Sequence, residues 1–333
     1  MESTFKALVV SQEPDGTFTR KIVFRDISEL PPGDLLIQVS YSSLNYKDAL
    51  AATGRRGVAH GYPLTPGIDA AGTVVESATG SHAPGETVIV CGHDLGVSVS
   101  GGFGQYIRVP AAWTLRPPEG LSLRDCMIVG TAGFTAAQCV RTLQEYGVSP
   151  GTGDVLVTGA TGGVGSFSVA LLSKLGYAVF AGTGKPDQRE FLLSLGAREV
   201  VPRAELAQDS AKALLKERWA GVIDTVGGNI LATAIKSTGY GGVVTACGNA
   251  ASADLPLTVF PFILRGVRLL GIESSRCPEP VRQELWGKLA GSWRPARLQS
   301  MAAECSLQEL NGKIDAILQG RIAGRVVVNL QSI

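Results

Sequence analysis

Short apolar runs punctuated by glycine and proline open the chain, and the pattern changes after about residue 118. Phe5-Lys6-Ala7-Leu8-Val9-Val10 and Leu35-Leu36-Ile37-Gln38-Val39-Ser40 read as strands, separated by turn chemistry at Pro14-Asp15-Gly16 and Pro31-Pro32-Gly33-Asp34. Further strands are predicted over 71–75 and 86–90, with Ala83-Pro84-Gly85 turning the chain between them. Their close spacing predicts a small barrel-like sheet. Beyond Pro118, residues 123–129 and 135–146 read as helices, the second carrying Ala136, Cys139, Val140 and Leu143 on one face and ending before Gly147. From Asp154 strands (155–157, 178–180, 221–224, 242–245) alternate with helical stretches (164–175, 188–195), which predicts a parallel sheet with covering helices. A last strand over 324–330 is expected to return to the first domain.

Composition narrows this. At 333 residues the chain suits two domains, and 45% hydrophobic content gives each a core. Glycine is in excess, 42 residues without a collagen-like period, against a usual share of about 7%, so many glycines are expected to be backbone devices. Thirty basic against 29 acidic residues give +1 with no Lys/Arg-rich run, which argues against a nucleic-acid surface. No signal-peptide layout opens the chain, and no apolar run reaches the roughly 18 residues of a membrane span, so the expectation is a cytoplasmic protein away from the membrane. Six scattered cysteines form no CxxC pair, and His60, His82 and His93 lack helical spacing to other ligands, so no metal site is expected.

The sharpest local signal is Thr158-Gly159-Ala160-Thr161-Gly162-Gly163-Val164-Gly165, lying after a predicted strand and opening a helix. Glycines there let the backbone approach a pyrophosphate, met by free N–H groups and the positive end of the helix dipole. Thr161, Gly162, Gly163 and Val164 are the expected contacts. A cofactor lacking a 2′-phosphate is usually read at the end of the next strand by a carboxylate. This chain has Ala181-Gly182-Thr183-Gly184-Lys185 instead. Thr183, Gly184 and Lys185, with Arg203 after the following strand, favour NADPH over NADH.

Together Pro66-Gly67-Ile68-Asp69-Ala70-Ala71-Gly72, Gly130-Thr131-Ala132-Gly133-Phe134-Thr135-Ala136, the glycine loop and Gly324-Arg325-Val326-Val327-Val328 resemble the medium-chain dehydrogenase/reductase superfamily. The resemblance implies an α/β fold. A β-rich GroES-like barrel domain is expected over 1–125 and 275–333, and a Rossmann-type doubly wound parallel sheet over 126–274. Where zinc alcohol dehydrogenases carry a Cys and a His as metal ligands, this chain has Asn45 and Ile68, and a four-cysteine loop is missing. It is more similar to the zinc-free acrylyl-CoA reductase branch. That narrower likeness is carried by Ser42-Ser43-Leu44-Asn45-Tyr46-Lys47-Asp48-Ala49-Leu50, Ile223-Asp224-Thr225-Val226-Gly227-Gly228 and Pro261-Phe262-Ile263-Leu264-Arg265.

The implied activity is NADPH-dependent reduction of acrylyl-CoA to propanoyl-CoA. Hydride adds to the β-carbon, charge collects on the thioester oxygen and a proton arrives at the α-carbon; donors aimed at that oxygen substitute for a Lewis acid. Tyr46, Lys47, Asp48 and Asn45 form the expected catalytic cluster. Tyr46 is expected to bridge cofactor and substrate, Lys47 to serve the oxyanion or proton relay, Asp48 to orient its neighbours and Asn45 to hold the loop. Tyr62 is an alternative proton donor. The family's cofactor contacts map onto Tyr46, Thr135, Asn249, Ser274 and Arg325, and Arg55 and Arg56 are candidate contacts for the phosphates of a coenzyme A tail. Reduction of a quinone or enone, and NADPH binding without catalysis, are the alternative readings. A homodimer pairing edge strands over 265–271 completes the expectation.

Overall fold

The computed structural model describes residues 3–208 and 210–331. The chain divides into two compact units, one holding Met1–Thr131, Ser275–Ala290 and Leu298–Ile333, the other Ala132–Ser274 and Gly291–Arg297.

The first unit opens with β1 (Thr4–Gln12) and β2 (Phe18–Asp26), an antiparallel hairpin. Asp15 holds its turn by accepting the Thr17 N–H at 2.9 Å, and Gly16 takes φ 85°. Then come β3 (Leu35–Leu44), α1 (Tyr46–Ala51), β4 (Asp69–Ser77), β5 (Thr87–Cys91), β6 (Tyr106–Val109) and β7 (Thr114–Leu115). β3 buries nearly every side chain, because partners flank it on both sides and the core covers its faces.

Helix α2 (Leu123–Glu145) starts in this unit and is broken at Gly130, whose φ of 48° and ψ of −161° are non-helical. Its halves correspond to the two helices predicted from the apolar pattern.

The second unit is a six-stranded sheet, entirely parallel. In chain order it comprises β8 (Val155–Val157), α3 (Gly163–Lys174), β9 (Val179–Thr183), α4 (Arg189–Ser194), β10 (Glu199–Pro202), α5 (Arg203–Leu206), β11 (Trp219–Asp224), α6 (Gly228–Lys236), β12 (Thr238–Ala246), α7 (Phe260–Arg265) and β13 (Arg268–Gly271). The strand order β10-β9-β8-β11-β12-β13 reverses direction between β8 and β11. That reversal opens a crevice at the carboxyl ends of those two strands, the usual ligand position in such sheets. Gly165 locks α3 onto its loop: a Cβ there would lie 2.3 Å from the Gly159 carbonyl oxygen.

The chain then re-enters the first unit with α8 (Glu279–Ala290), β14 (Ala302–Ser306), α9 (Leu310–Leu318) and β15 (Arg325–Asn329). β15 pairs antiparallel with β3, Val326 opposite Leu44, and parallel with β14, completing a sheet of order β14-β15-β3-β4-β5-β7 with β6 on β3. No helix among the described residues is long and apolar enough to cross a membrane.

The break in α2 is filled from the side. A Cβ on Gly130 would stand 2.6 Å from Asp69 Oδ2, 2.8 Å from Arg325 Nη2 and 2.8 Å from Ser43 Oγ. Gly130→Ala is therefore expected to lower the unfolding free energy by roughly 2–4 kcal/mol, from the strained φ and the displaced polar atoms together. Urea unfolding checks this, and a change under about 0.5 kcal/mol, the usual scatter of harmless substitutions, would show that the pocket can yield.

Candidate active site

The first unit gathers the ends of three strands around buried charge. Asp69 begins β4, Arg325 begins β15 and Asn45 follows β3; all three are at least nine-tenths buried, Asp69 completely. The Asp69 carboxylate accepts Ser43 Oγ at 2.6 Å, Asn45 Nδ2 at 2.8 Å, the Thr131 hydroxyl at 2.6 Å and the Thr131 N–H at 2.9 Å. Arg325 stands 3.8 Å from it. The guanidinium donates from Nε to the Ile128 carbonyl (3.0 Å), from Nη1 to Asn45 Oδ1 (3.1 Å) and the Leu44 carbonyl (3.3 Å), and from Nη2 to Ser43 Oγ (2.8 Å). Buried charges persist only when paired and hydrogen-bonded in this way.

This network sets the start of α1. Asp48, also fully buried, accepts the Asn45 N–H at 2.8 Å on Oδ2 and the Ile68 N–H at 2.8 Å on Oδ1. The first contact caps the helix from its third residue; the second ties α1 to the approach to β4. Burial, and next the Asp69 charge, push the Asp48 carboxyl up to about 7. Burial pulls Arg325 down from its ordinary value, with Asp69 and Asp48 opposing. What the network presents outward is Tyr46 and Lys47, both exposed on the first turn of α1.

The surroundings of three expected site groups stand out. Arg325, expected among the cofactor contacts, is 2% exposed, and four of its five N–H donors bond groups of its own unit. Asn45 and Asp48, expected to hold the loop and orient its neighbours, have their polar atoms bonded to the backbone, to Asp69 and to Arg325. Tyr62 is not placed as a proton donor, since its hydroxyl donates to the Ala51 carbonyl at 2.6 Å and its ring packs against Phe18. Asp69, Gly130 and Thr131 lie inside the family motifs, which do not single them out. The available signal was a carboxylate in the otherwise apolar run Ile68-Asp69-Ala70-Ala71.

In the second unit the glycine loop leaves β8 at the reversal of strand order. Asp224 at the end of β11 accepts the Thr158 hydroxyl at 2.6 Å and the Gly227 N–H at 2.8 Å, and Thr225 Oγ1 donates to the Thr158 carbonyl at 3.0 Å. The two crevice loops are thereby tied together. Gly162, Gly163 and Val164 at the start of α3 stay partly open, while Thr161 is buried beneath them. At the end of β9 the buried Thr183 hydroxyl accepts the Lys185 N–H at 3.0 Å and keeps its own proton to donate. A Cβ on Gly184 would meet the Arg203 guanidinium carbon at 2.8 Å, so Arg203 lies over the turn that carries Lys185. Desolvation lowers the Lys185 pKa, with Asp187 opposing. Thr135 lies buried in the second half of α2, Asn249 is exposed just beyond β12, and Ser274 follows β13. An anionic dinucleotide fits these residues: backbone N–H groups at a helix start, and two cations with a hydroxyl where a 2′-phosphate would sit.

Comparison with known proteins decides the family. Residues 31–119 match the alcohol dehydrogenase GroES-like domain and residues 163–290 the zinc-binding dehydrogenase family. Acrylyl-CoA reductase AcuI of Ruegeria pomeroyi is 43% identical over 98% of this chain and 100% of its own length. This chain is a medium-chain dehydrogenase/reductase. Among solved structures of that family, Escherichia coli K-12 YhdH with bound NADPH is 44% identical, with a TM-score of 0.95, covering 98% of this chain and 100% of that one. Bacillus subtilis yhfP with NAD bound is 43% identical, with a TM-score of 0.94, over 98% and 100% of the two chains.

A zinc ion, implied by one family description, does not fit this medium-chain dehydrogenase/reductase. Asn45 is committed to Asp69 and Arg325, Ile68 offers no donor, and burial with the nearby Asp69 charge pushes the Cys91 thiol well up. No group of three His, Cys, Asp or Glu suited to a metal occurs among the described residues.

The Asp48 carboxyl gives a pH signature. Its folded pKa of about 7 lies above the ordinary unfolded value of about 3.9, so its contribution is fully present at low pH and is lost as pH rises through 7. The stability of wild type relative to Asp48→Asn is expected to fall between about pH 4 and 7, by at most ~1.4 kcal/mol per unit, and then level off. Urea unfolding from pH 5 to 8 measures it. A difference that grows with pH would mean that Asp48 is held ionised.

Proposed function

We propose that this protein is an NADPH-dependent reductase of an α,β-unsaturated acyl-CoA, with acrylyl-CoA to propanoyl-CoA as its reaction. The observation that carries the reading is the Thr183–Lys185 turn under Arg203, two cations and a hydroxyl where an NADH enzyme would place a carboxylate. The full-length similarity to an acrylyl-CoA reductase supports the substrate class. The bound dinucleotide supplies hydride for the β-carbon of the alkene. The chain's own residues handle the charge that this creates on the thioester oxygen. Tyr46 and Lys47 are ionisable groups held rigidly at the start of α1 by Asn45, Asp48 and Asp69, and they donate toward that oxygen and return a proton to the α-carbon. Thr161, Gly162, Gly163 and Val164 hold the pyrophosphate, while Thr135, Asn249 and Ser274 line the nicotinamide end.

Purified protein given NADPH is expected to convert acrylyl-CoA to propanoyl-CoA with kcat/KM well above that for simple quinones and enones. The double variant Lys185→Ala, Arg203→Ala should lose at least tenfold in kcat/KM for NADPH with little change for NADH. A quinone preference sinks the acyl-CoA reading, and equal losses with both cofactors sink the 2′-phosphate reading.

The assembly proposed is a homodimer through the nucleotide-binding sheet. β13 is an edge strand, and α7 before it exposes Phe260, Ile263 (70%) and Leu264 (57%), with Val259 exposed just ahead of the helix. An unpaired edge next to an apolar patch is a surface that proteins normally cover. Sedimentation equilibrium should give twice the chain mass for wild type and a monomer for Ile263→Asp combined with Leu264→Asp; a monomeric wild type overturns the assignment.

A further inference from the structure

We propose that Arg55 and Arg56 form a platform for the phosphate groups of the nucleotide handle carried by the substrate thioester. The inference rests on the acyl-CoA reading above and adds to it a recognition site remote from the reacting carbon.

The turn after α1 is built to be rigid. The N–H groups of Thr53 and Arg55 return to the Leu50 carbonyl at 3.2 and 3.0 Å, and that of Gly54 to the Ala51 carbonyl at 3.3 Å. Gly54 has φ 71°, and a Cβ on it would lie 2.1 Å from the Phe18 ring, so the turn sits directly on β2. From the far side the Tyr62 hydroxyl grips Ala51, and the His60 N–H bonds the Val97 carbonyl at 3.1 Å. The backbone is therefore fixed, yet the space around the arginines is open: a Cβ at Gly57 or Gly61 would meet nothing within 4 Å.

On this fixed turn stand two cations without partners. Elsewhere in the unit Arg20, Arg25, Arg108, Arg116 and Arg124 each reach a carboxylate. The exposed side chains of Arg55 and Arg56 make no hydrogen bond or ion pair among the described residues. From Tyr46 to Tyr62 the only acid is Asp48, which is buried, while Lys47 adds a further exposed cation. The segment itself therefore carries a net positive charge. Adjacent guanidinium forks match phosphate oxygens in pairs, which a solvated lysine does less well. The six residues of α1 rise about 9 Å, which sets the platform apart from Tyr46, as the phosphates of a handle stand apart from its acyl group.

The test compares acrylyl-CoA with the acrylyl thioester of N-acetylcysteamine, which has the same reacting group and no nucleotide. In full-length Arg55→Ala, Arg56→Ala the ratio of kcat/KM for the first substrate to that for the second is expected to fall at least tenfold, mainly through KM, and 0.5 M salt should shrink the wild-type advantage. An unchanged ratio overturns the proposal. So does an equal rise in the dissociation constant for NADPH, which would assign the platform to the cofactor's phosphates. If wild type reduces neither thioester, the acyl-CoA reading itself fails, and calorimetric titration with free coenzyme A then decides the platform alone. Binding lost in the double variant supports it, and no binding to wild type overturns it.

Discussion

A single buried carboxylate organises the first unit. Asp69 takes four hydrogen bonds and faces Arg325, and each contact fixes something different: Ser43 the end of β3, Asn45 the entry to α1, Thr131 the restart of α2 after its break. Isolated, that charge would cost several kcal/mol or more to bury. Surrounded as it is, removal of any one partner leaves the others with unmet polar groups, so the arrangement is specific rather than merely tolerated. Gly130 follows from the same constraint, because the polar atoms occupy the space a side chain would need.

This arrangement also explains how a metal-free site can be stiff. A zinc ion fixes its ligands by coordination; here Arg325 and Asp69 do so through hydrogen bonds to Asn45, and Asp48 closes the first turn of α1 from within. The backbone that carries Tyr46 and Lys47 is placed by buried groups of the same unit. Preorganisation of this kind fixes the backbone from which an exposed donor projects.

The sequence made the architecture legible because its signals were local. The change from short punctuated strands to alternating strands and helices, the glycine loop after β8 and the returning β15 can each be read within a few residues. The break at Gly130 was visible as the gap between two helical stretches, although its cause lay elsewhere in the chain. The fate of Arg325 was not legible, since its partners at positions 43, 44, 45 and 128 lie about 200 to 280 residues away. A motif places an arginine at the head of a strand but does not say which way its side chain is spent. Tyr62 fails for a similar reason: nothing nearby in sequence reveals that its hydroxyl is taken by Ala51.

The two units handle anions and cations in opposite ways. In the first, Arg325 is sealed away with carboxylates and carbonyls, and its charge serves the fold. In the second, Arg203 remains exposed, with its guanidinium against Gly184. A side chain at position 184 would push that guanidinium aside. A buried cation bonded within its own unit keeps few donors for a ligand, whereas the exposed Arg203 guanidinium beside Gly184 makes no such commitment. The chemistry of arginine is the same in both places. What separates the two is whether the surrounding residues satisfy its donors.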